Sequence, residues 1–226
     1  MTTQRYDLSD FSRVEVEGAF SVDITRSDAY SVNADSMEPG YLRIEKVGDT
    51  LRVGRRGWLG FLSGRPHAAI TMPALEGISL SGASHGKIQG FKSDRELAVK
   101  LSGASHLEVR DTVCGRLRIE VSGASNLIGE ANAQETEMSV SGASRVELSG
   151  SGGKARLKLS GASQARLPAL TLTDADVESS GASSSQVVVN GKLDINLSGA
   201  SRLEYGGSPS LGDVRVSGAS NLNRRP

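Results

Sequence analysis

The sequence predicts an all-β protein, a parallel β-helix (solenoid) built from coils of about 20 residues. The tetrapeptide Ser-Gly-Ala-Ser recurs through the chain at steps of 18 to 21 residues. Apolar and polar residues alternate on both sides of each copy, as in a half-buried strand. Aromatic residues make up only 4% of the chain, so the interior must consist mainly of Val, Leu, Ile and Ala. The copies begin at Ser81, Ser102, Ser122, Ser141, Ser160, Ser180, Ser198 and Ser217.

Each coil is predicted to contain a strand, a Gly-Ala corner, a second strand and a variable turn. In the second copy, Val99 and Leu101 precede the motif as apolar positions and enclose the polar Lys100. After the motif the alternation resumes in a shifted phase at Leu107 and Val109, as a bend between two strands would require. We expect the Gly to permit the bend and the small Ala to point into the tight corner.

A coil of about 20 residues is too short for a strand with a proper helix and too long for one hairpin arm. The asparagine or cysteine signature of leucine-rich repeats is missing, and an antiparallel barrel would not need the same corner in every unit. Charges at matching positions also favour parallel, in-register stacking, since Lys100 would face Glu120 and Lys158 would face Glu178. Four positions before the motif the sign alternates in successive copies, at Arg118, Glu137, Arg156 and Asp176.

The first third of the chain departs from the repeat, and we predict two regions, an N-terminal β cap at 1–75 and a β-helix at 76–226. Residues 14–24 match the repeat with Glu17 and Phe20 in place of the two serines, which predicts a degenerate coil. Residues 41–54 predict a hairpin that turns at Gly48 and Asp49. A terminal unit of this kind would shield the open end of the core.

Composition excludes several classes of function. The 26 basic and 26 acidic residues balance, so no overall field favours nucleic acid. No apolar run approaches the roughly 18 residues of a membrane span, and we expect no transmembrane segment. The single cysteine, Cys114, excludes an internal disulfide and is expected to be a spare, half-buried thiol. The first residues lack the apolar core of a signal peptide, which leaves two alternatives, a cytoplasmic protein or a removed leader.

The candidate binding site is the loop at 55–67, which concentrates aromatic and basic residues between glycines. We select Arg55, Arg56, Trp58, Phe61 and Arg65 as its binding residues. Aromatic and arginine side chains suit contact with a glycan or with an envelope or surface protein. The alternative is that the loop folds over the core and plugs the end of the solenoid.

Other polar features have a structural alternative beside the functional one. The two serine columns would either hold the corner through backbone hydrogen bonds or form a flat surface for a carbohydrate. His85 and His106 would lie on adjacent coils, but without a carboxylate or third histidine in that column we predict neither a metal site nor a cofactor. Asp176, Asp194 and Asp213 form an acidic run that could bind calcium or catalyse hydrolysis, although such residues are usually exposed strand positions.

The reiterated motif, the segment Val14–Ile24 and the late turn Leu203–Pro209 together resemble a bacterial family, the putative auto-transporter adhesin, head GIN domain family. The resemblance runs from about Phe11 to Asn221, nearly the whole chain. It implies a β-helical, extracytoplasmic protein of the periplasm or cell surface, often secreted or lipid-anchored. The family has no motif of catalytic residues to transfer to this chain.

Three hypotheses of function follow. The leading one is a non-enzymatic cell-envelope binding or adhesion module. The second is a carbohydrate-active β-helix enzyme that uses Asp176, Asp194 and Asp213. The third is a structural solenoid that self-assembles end to end, which would make the protein a homo-oligomer.

The Trp58→Ala variant distinguishes a contact loop from a plug. A contact residue is exposed in the free protein, so we expect the melting temperature to stay nearly unchanged. If Trp58 were instead buried as part of a plug, its loss would lower the free energy of unfolding by about 3–5 kcal/mol and the melting temperature by roughly 10 °C. Thermal unfolding followed by circular dichroism measures the difference, and a large decrease would contradict the assignment of Trp58 to a contact site.

Overall fold

The computed structural model describes residues 2–37, 39–56 and 65–225, which form a parallel β-solenoid. The strands are β1 (Thr2–Tyr6), β2 (Arg13–Val16), β3 (Ser21–Arg26), β4 (Ser31–Ser36), β5 (Leu42–Val47), β6 (Thr50–Arg55), β7 (His67–Met72), β8 (Gly77–Leu80), β9 (His85–Gln89), β10 (Glu96–Leu101), β11 (His106–Val121), β12 (Asn126–Val140), β13 (Arg145–Leu159), β14 (Gln164–Ser179), β15 (Ser184–Val189), β16 (Lys192–Leu197), β17 (Arg202–Gly207), β18 (Ser210–Val216) and β19 (Asn221–Arg224). A single 3-10 turn at Pro39–Tyr41 is the helical element of the described chain.

The predicted coils stack in parallel and in register. Leu101, the last residue before its motif, pairs with Leu80 of the preceding coil and Val121 of the following one, which in turn pairs with Val140. All four side chains are buried. The apolar column read from the sequence is therefore the core of the solenoid, and the fold prediction is confirmed.

The corner of each coil is made by the glycine of the motif. These glycines have φ between 70° and 76°, in the left-handed region that other residues rarely adopt. Each corner also stacks tightly on the one before, since the Ala143 N–H donates to the Gly123 carbonyl at 2.8 Å. The equivalent bond recurs along the corner column at 2.7–2.8 Å.

The prediction that the alanine fills the corner is wrong. Ala143 is exposed, whereas the next residue, Ser144, is buried at 1% exposure. The left-handed glycine turns the chain so that the fourth motif residue, rather than the third, points into the core. The Ser144 hydroxyl donates to the Gly123 carbonyl at 3.2 Å, so this buried polar group has a hydrogen-bond partner.

Four strands, β11 to β14, continue from one motif copy to the next and cross a second bend on the way. Register shifts mark this bend between Val109 and Thr112 and between Arg166 and Thr171. Asp111 lies inside the first shift with φ at 44°. The bend therefore varies from coil to coil, while the glycine corner does not.

The N-terminal coils are stacked in a different order from their order in the chain. β2 pairs in parallel with both β6 and β8, and β3 pairs with both β7 and β9. The coil at 13–26 therefore lies between the coil at 50–72 and the coil at 77–89. Residues 14–24 do form a coil, with Phe20 fully buried where later coils have the buried serine.

Antiparallel strands close this end of the solenoid. The predicted hairpin forms between β5 and β6, and β5 lies at the edge of the sheet. On the other side β4 pairs antiparallel with β7, and β1 pairs antiparallel with β4. The rings of Phe11 and Tyr30 pack 4.9 Å apart over the core. The apolar interior is thus covered at the N-terminal end.

Ion pairs between stacked coils follow the predicted register in part. Lys100 contacts Glu120 at 3.2 Å and Lys158 contacts Glu178 at 3.2 Å, as predicted. Glu137, however, contacts Arg116 at 2.8 Å, on the diagonal, while its register partner Arg118 turns along its own strand. Each exposed pair contributes at most about 1 kcal/mol, so these pairs refine a register that the backbone already defines.

The corner glycines are expected to tolerate no side chain where two of them stack. A Cβ on Gly142 would lie 2.5 Å from the Gly123 carbonyl oxygen, in addition to the strain at φ +72°. We expect Gly142→Ala to lower the free energy of unfolding by more than the roughly 1–3 kcal/mol that backbone strain alone would cost. Equilibrium unfolding in urea measures this decrease.

The matched control is Gly82→Ala, at the same motif position with φ +75° but with its nearest neighbour, the Gly18 nitrogen, 3.3 Å away. This variant retains the strain but avoids the closest approach. If both variants lost the same stability, the stacking of one corner on the next would not be the limiting contact.

Candidate functional site

The two ends of the loop selected from the sequence lie beside the corner of the neighbouring coil. β6 ends at Arg55 beneath β2, and β7 begins at His67 beneath β3, so these ends flank the corner formed by Gly18 and Ala19. Arg55, Arg56 and Arg65 lie at the two ends of this segment. Trp58 and Phe61 lie outside the described residues.

Arg55 is anchored under the neighbouring corner. Its Nη2 donates to the carbonyl of Ala19 at 3.3 Å, and its side chain is partly buried. Burial, and secondly the positive charge of Arg65, lower the pKa of Arg55 below its ordinary value. The two arginines therefore lie close enough for their charges to interact, although their positions in the sequence are ten residues apart.

Arg56 faces a different part of the surface. Its backbone N–H donates to the Tyr41 carbonyl at 2.7 Å, and its charge acts on Tyr6 and Glu45 of the antiparallel edge strands. The charge of Arg65 thus acts on Arg55, while that of Arg56 acts on the neighbouring antiparallel strands.

All three histidines of the chain lie in one column beside this corner. His67 pairs in register with Ser21, Ser21 pairs with His85, and His85 pairs with His106. The expectation that no third histidine joins the column is therefore wrong. A linear alignment of the repeats missed His67 because the coil containing Ser21 is inserted between its coil and that of His85.

The histidines have separate partners. The rings of His85 and His106 lie 5.7 Å apart, and His106 Nδ1 contacts the Asn126 side-chain amide at 3.1 Å. His67 Nε2 contacts the Asp23 carboxylate at 3.1 Å. Within the described ranges, no three His, Cys, Asp or Glu side chains are grouped so that they could hold a metal ion.

Arg65 reaches across to His85. Its Nη1 lies 3.0 Å from His85 Nδ1, and because a guanidinium can only donate, this nitrogen accepts and the imidazole is neutral. Burial, and secondly the charge of Arg65, lower the pKa of His85. The corner therefore presents guanidinium groups beside a neutral imidazole, an arrangement that can donate to carboxylate or hydroxyl oxygens of a ligand.

The serine columns support the structure of the corner. The second serine of the motif is buried in every copy but the last, at Ser84, Ser105, Ser125, Ser144, Ser163, Ser183 and Ser201. The first serine is half-buried in most copies, and hydroxyls such as that of Ser122 donate to a carbonyl of the preceding coil, here Leu101 at 3.4 Å. Of the buried motif hydroxyls, all but that of Ser183 hydrogen-bond the backbone, which supports the structural interpretation.

The acidic run lies in a charged groove rather than in an array of free carboxylates. Asp176 and Asp194 are register partners, but a bulge displaces Asp213 from the same column. The Asp194 carboxylate accepts bonds from Lys192 Nζ and from the Asp213 N–H, both at 2.8 Å, and the pKa of Asp194 is lowered, first by Lys192 and then by that N–H. Asp176 contacts Arg156 at 3.2 Å.

This groove, of about 380 Å³, has lining residues of both signs. A general acid at neutral pH needs a carboxyl group with a raised pKa, whereas that of Asp194 is shifted in the opposite direction. The arrangement suits a surface network of ion pairs better than acid catalysis.

The thiol of Cys114 is unreactive. It is buried, and burial raises the pKa of its thiol to about 11. Since the thiolate is the nucleophile, such a thiol is unreactive at neutral pH. This agrees with the spare thiol expected from the sequence.

The chain is similar to a known protein family and to several solved structures. A family model described as "Putative auto-transporter adhesin, head GIN domain" matches residues 10–209. A comparison with curated proteins finds no significant match. Within the described residues, no helix has the length and apolar character needed to cross a membrane.

Solved structures share the fold along the whole chain. A Parabacteroides distasonis protein named a putative lipid binding protein superposes with a TM-score of 0.92 at 16% identity, covering 100% of this chain and 96% of its own. A putative adhesin of the same organism gives 0.91 at 16% identity, with 99% and 96% covered. A putative adhesin of Parabacteroides merdae gives 0.87 at 17% identity, with 100% and 96% covered. At these identities the likeness shows the fold alone.

The contact between Arg65 and His85 predicts a measurable change in titration. We expect Arg65→Ala to raise the pKa of His85 towards its ordinary value, since the second-largest cause of its shift is removed. NMR titration of the three imidazoles measures this, with Arg202→Ala, further along the same column, as the control that leaves His85 unchanged.

The lowered pKa of His85 makes the stability of the fold depend on pH. The unfolded chain binds a proton at His85 more readily than the folded chain does. The contribution of His85 to stability is therefore fully present above about pH 6.5 and is lost as the pH falls through the pKa of His85 in the folded chain. Arg65→Ala should reduce this loss. An unchanged His85 titration in Arg65→Ala would exclude the contact.

Proposed function

Because this chain belongs to the putative auto-transporter adhesin, head GIN domain family, we propose that it is a non-catalytic binding module of the bacterial cell envelope, located outside the cytoplasm. Similar structures carry the names adhesin and lipid binding protein. The observation that carries the proposal is the contact of Arg65 with His85 at 3.0 Å, near the corner at which Arg55 donates to the Ala19 carbonyl.

The proposed ligand is a glycan or an envelope surface protein, bound by Arg55, Arg56, Trp58, Phe61 and Arg65. Arginine guanidinium groups donate in a planar fork to carboxylates and hydroxyls, and aromatic rings stack on apolar faces. Arginine and tryptophan also dominate the binding energy of protein interfaces. The solenoid supports such a site because every strand around it is hydrogen-bonded on a rigid stack.

The chemistry of the groove and of the thiol favours binding over catalysis. Asp176 and Asp194 form ion pairs with basic neighbours, and the pKa of the Cys114 thiol is about 11. At neutral pH an ionised Asp194 cannot serve as a general acid, and an un-ionised Cys114 thiol cannot serve as a nucleophile.

A glycan array and binding to whole envelope fractions test the proposal with the unaltered chain and three variants. We expect Trp58→Ala and Arg65→Ala each to weaken binding by roughly tenfold or more, as for residues at the centre of an interface. Arg166→Ala, an exposed arginine on the strand β14 far along the stack, is the matched control and should bind as the unaltered chain does.

Two outcomes would contradict the proposal. Equal binding by all four proteins would place the contact on another face of the solenoid. Release of products from a glycan substrate, lost in Asp194→Asn, would show that the protein is an enzyme.

A further inference from the structure

The two ends of the solenoid differ in what covers the core. At the N-terminal end, β1, β4 and β5 lie over the first coil as antiparallel strands. At the other end β18 pairs with β16 and β19 pairs with β17. Among the described residues, no strand pairs with the outer edge of β18 or β19.

The last coil also exposes side chains that belong to the core column. Leu211, Val214 and Val216 are 48%, 41% and 45% exposed. Their register partners one coil earlier, Leu193, Ile195 and Leu197, are 0%, 2% and 0% exposed. An open strand edge with apolar side chains along it is a template for pairing with another chain.

We propose that this C-terminal face binds the same face of a second copy of the chain, which forms a closed two-fold dimer. At the opposite end, the strand in the column of β18 is β5, in which Leu42 is buried and Ile44 half-buried, while Val47 is exposed together with the charged Arg43 and Lys46. Head-to-tail stacking would place Val214 and Val216 against that largely charged strand. A second C-terminal face matches them with valine and leucine, and a two-fold contact of one surface with itself closes the assembly.

The charges of β18 are self-complementary for this contact. Two copies of β18 that pair antiparallel about Val214 place Asp213 of each copy opposite Arg215 of the other. Opposite charges at facing positions of an antiparallel pair are favourable, and like charges are not. The backbone groups are also available, since the Ser217 N–H bonds inward to the Leu197 carbonyl, and by strand alternation those of Val214 and Val216 face outward.

The small size of the C-terminal face limits the expected affinity of the dimer. β18 contributes 7 residues and β19 contributes 4. A standard stable interface takes about 20–30 residues from each partner, so this dimer should be weak and reversible. It should therefore form on concentration, or on a surface where copies are crowded.

Sedimentation velocity on the full chain, in a concentration series into the hundreds of micromolar, tests the proposal. We expect a monomer–dimer equilibrium with no larger species. Val214→Lys, which places a charge on the two-fold axis, should raise the dissociation constant roughly tenfold or more. The matched control is Val47→Lys on β5, since Val47 is 46% exposed but lies at the opposite end, and this variant should dimerise normally.

A charge-reversal cycle tests the register without altering the apolar contacts. Asp213→Arg and Arg215→Asp should each weaken the dimer by placing like charges opposite each other, and the double variant should restore it. Circular dichroism confirms that each variant is folded. A chain that stays monomeric throughout the series, species that grow beyond the dimer, equal loss in Val47→Lys, or association that neither lysine variant changes would overturn the proposal.

Discussion

The close approach of successive glycine corners is the constraint on which the rest of this solenoid depends. From Ala104 onward, each motif alanine N–H bonds to the preceding glycine carbonyl at 2.7–2.8 Å, and the glycines have φ between 70° and 76°. With a side chain at Gly142, Cβ would lie 2.5 Å from the Gly123 carbonyl oxygen. Because the corners stack directly on one another, the strands on both sides follow in register, and the apolar columns, the buried serines and the ion pairs all follow from that register.

The stacking of the coils determines the partners of the polar and charged side chains. Serine hydroxyls beside the corner bond backbone carbonyls, as Ser144 does with Gly123. The carboxylates of Asp176 and Asp194 contact basic neighbours along one sheet. A repeated residue in a solenoid is present because every coil needs it, so the positions that differ from the repeat are the more informative ones for function.

The regularity ends at two places, and each has a different chemical character. In the first coils of the stack, beside the corner of Gly18 and Ala19, arginine and histidine side chains meet. In the last described coil, Leu211, Val214 and Val216 are exposed. A basic, polar corner at one end and an apolar edge at the other suit a rod that binds a ligand at one end and its own kind at the other.

The sequence by itself determined the parallel coils, their period, the apolar columns and the left-handed glycines, because each depends on residue type and spacing within one coil. Lys100 with Glu120 followed from the same spacing. Only the tertiary structure decided the stacking order of the N-terminal coils, since a coil has the same pattern wherever it stacks. That order placed His67 in the column of His85, and the handedness of the corner placed serine rather than alanine inside.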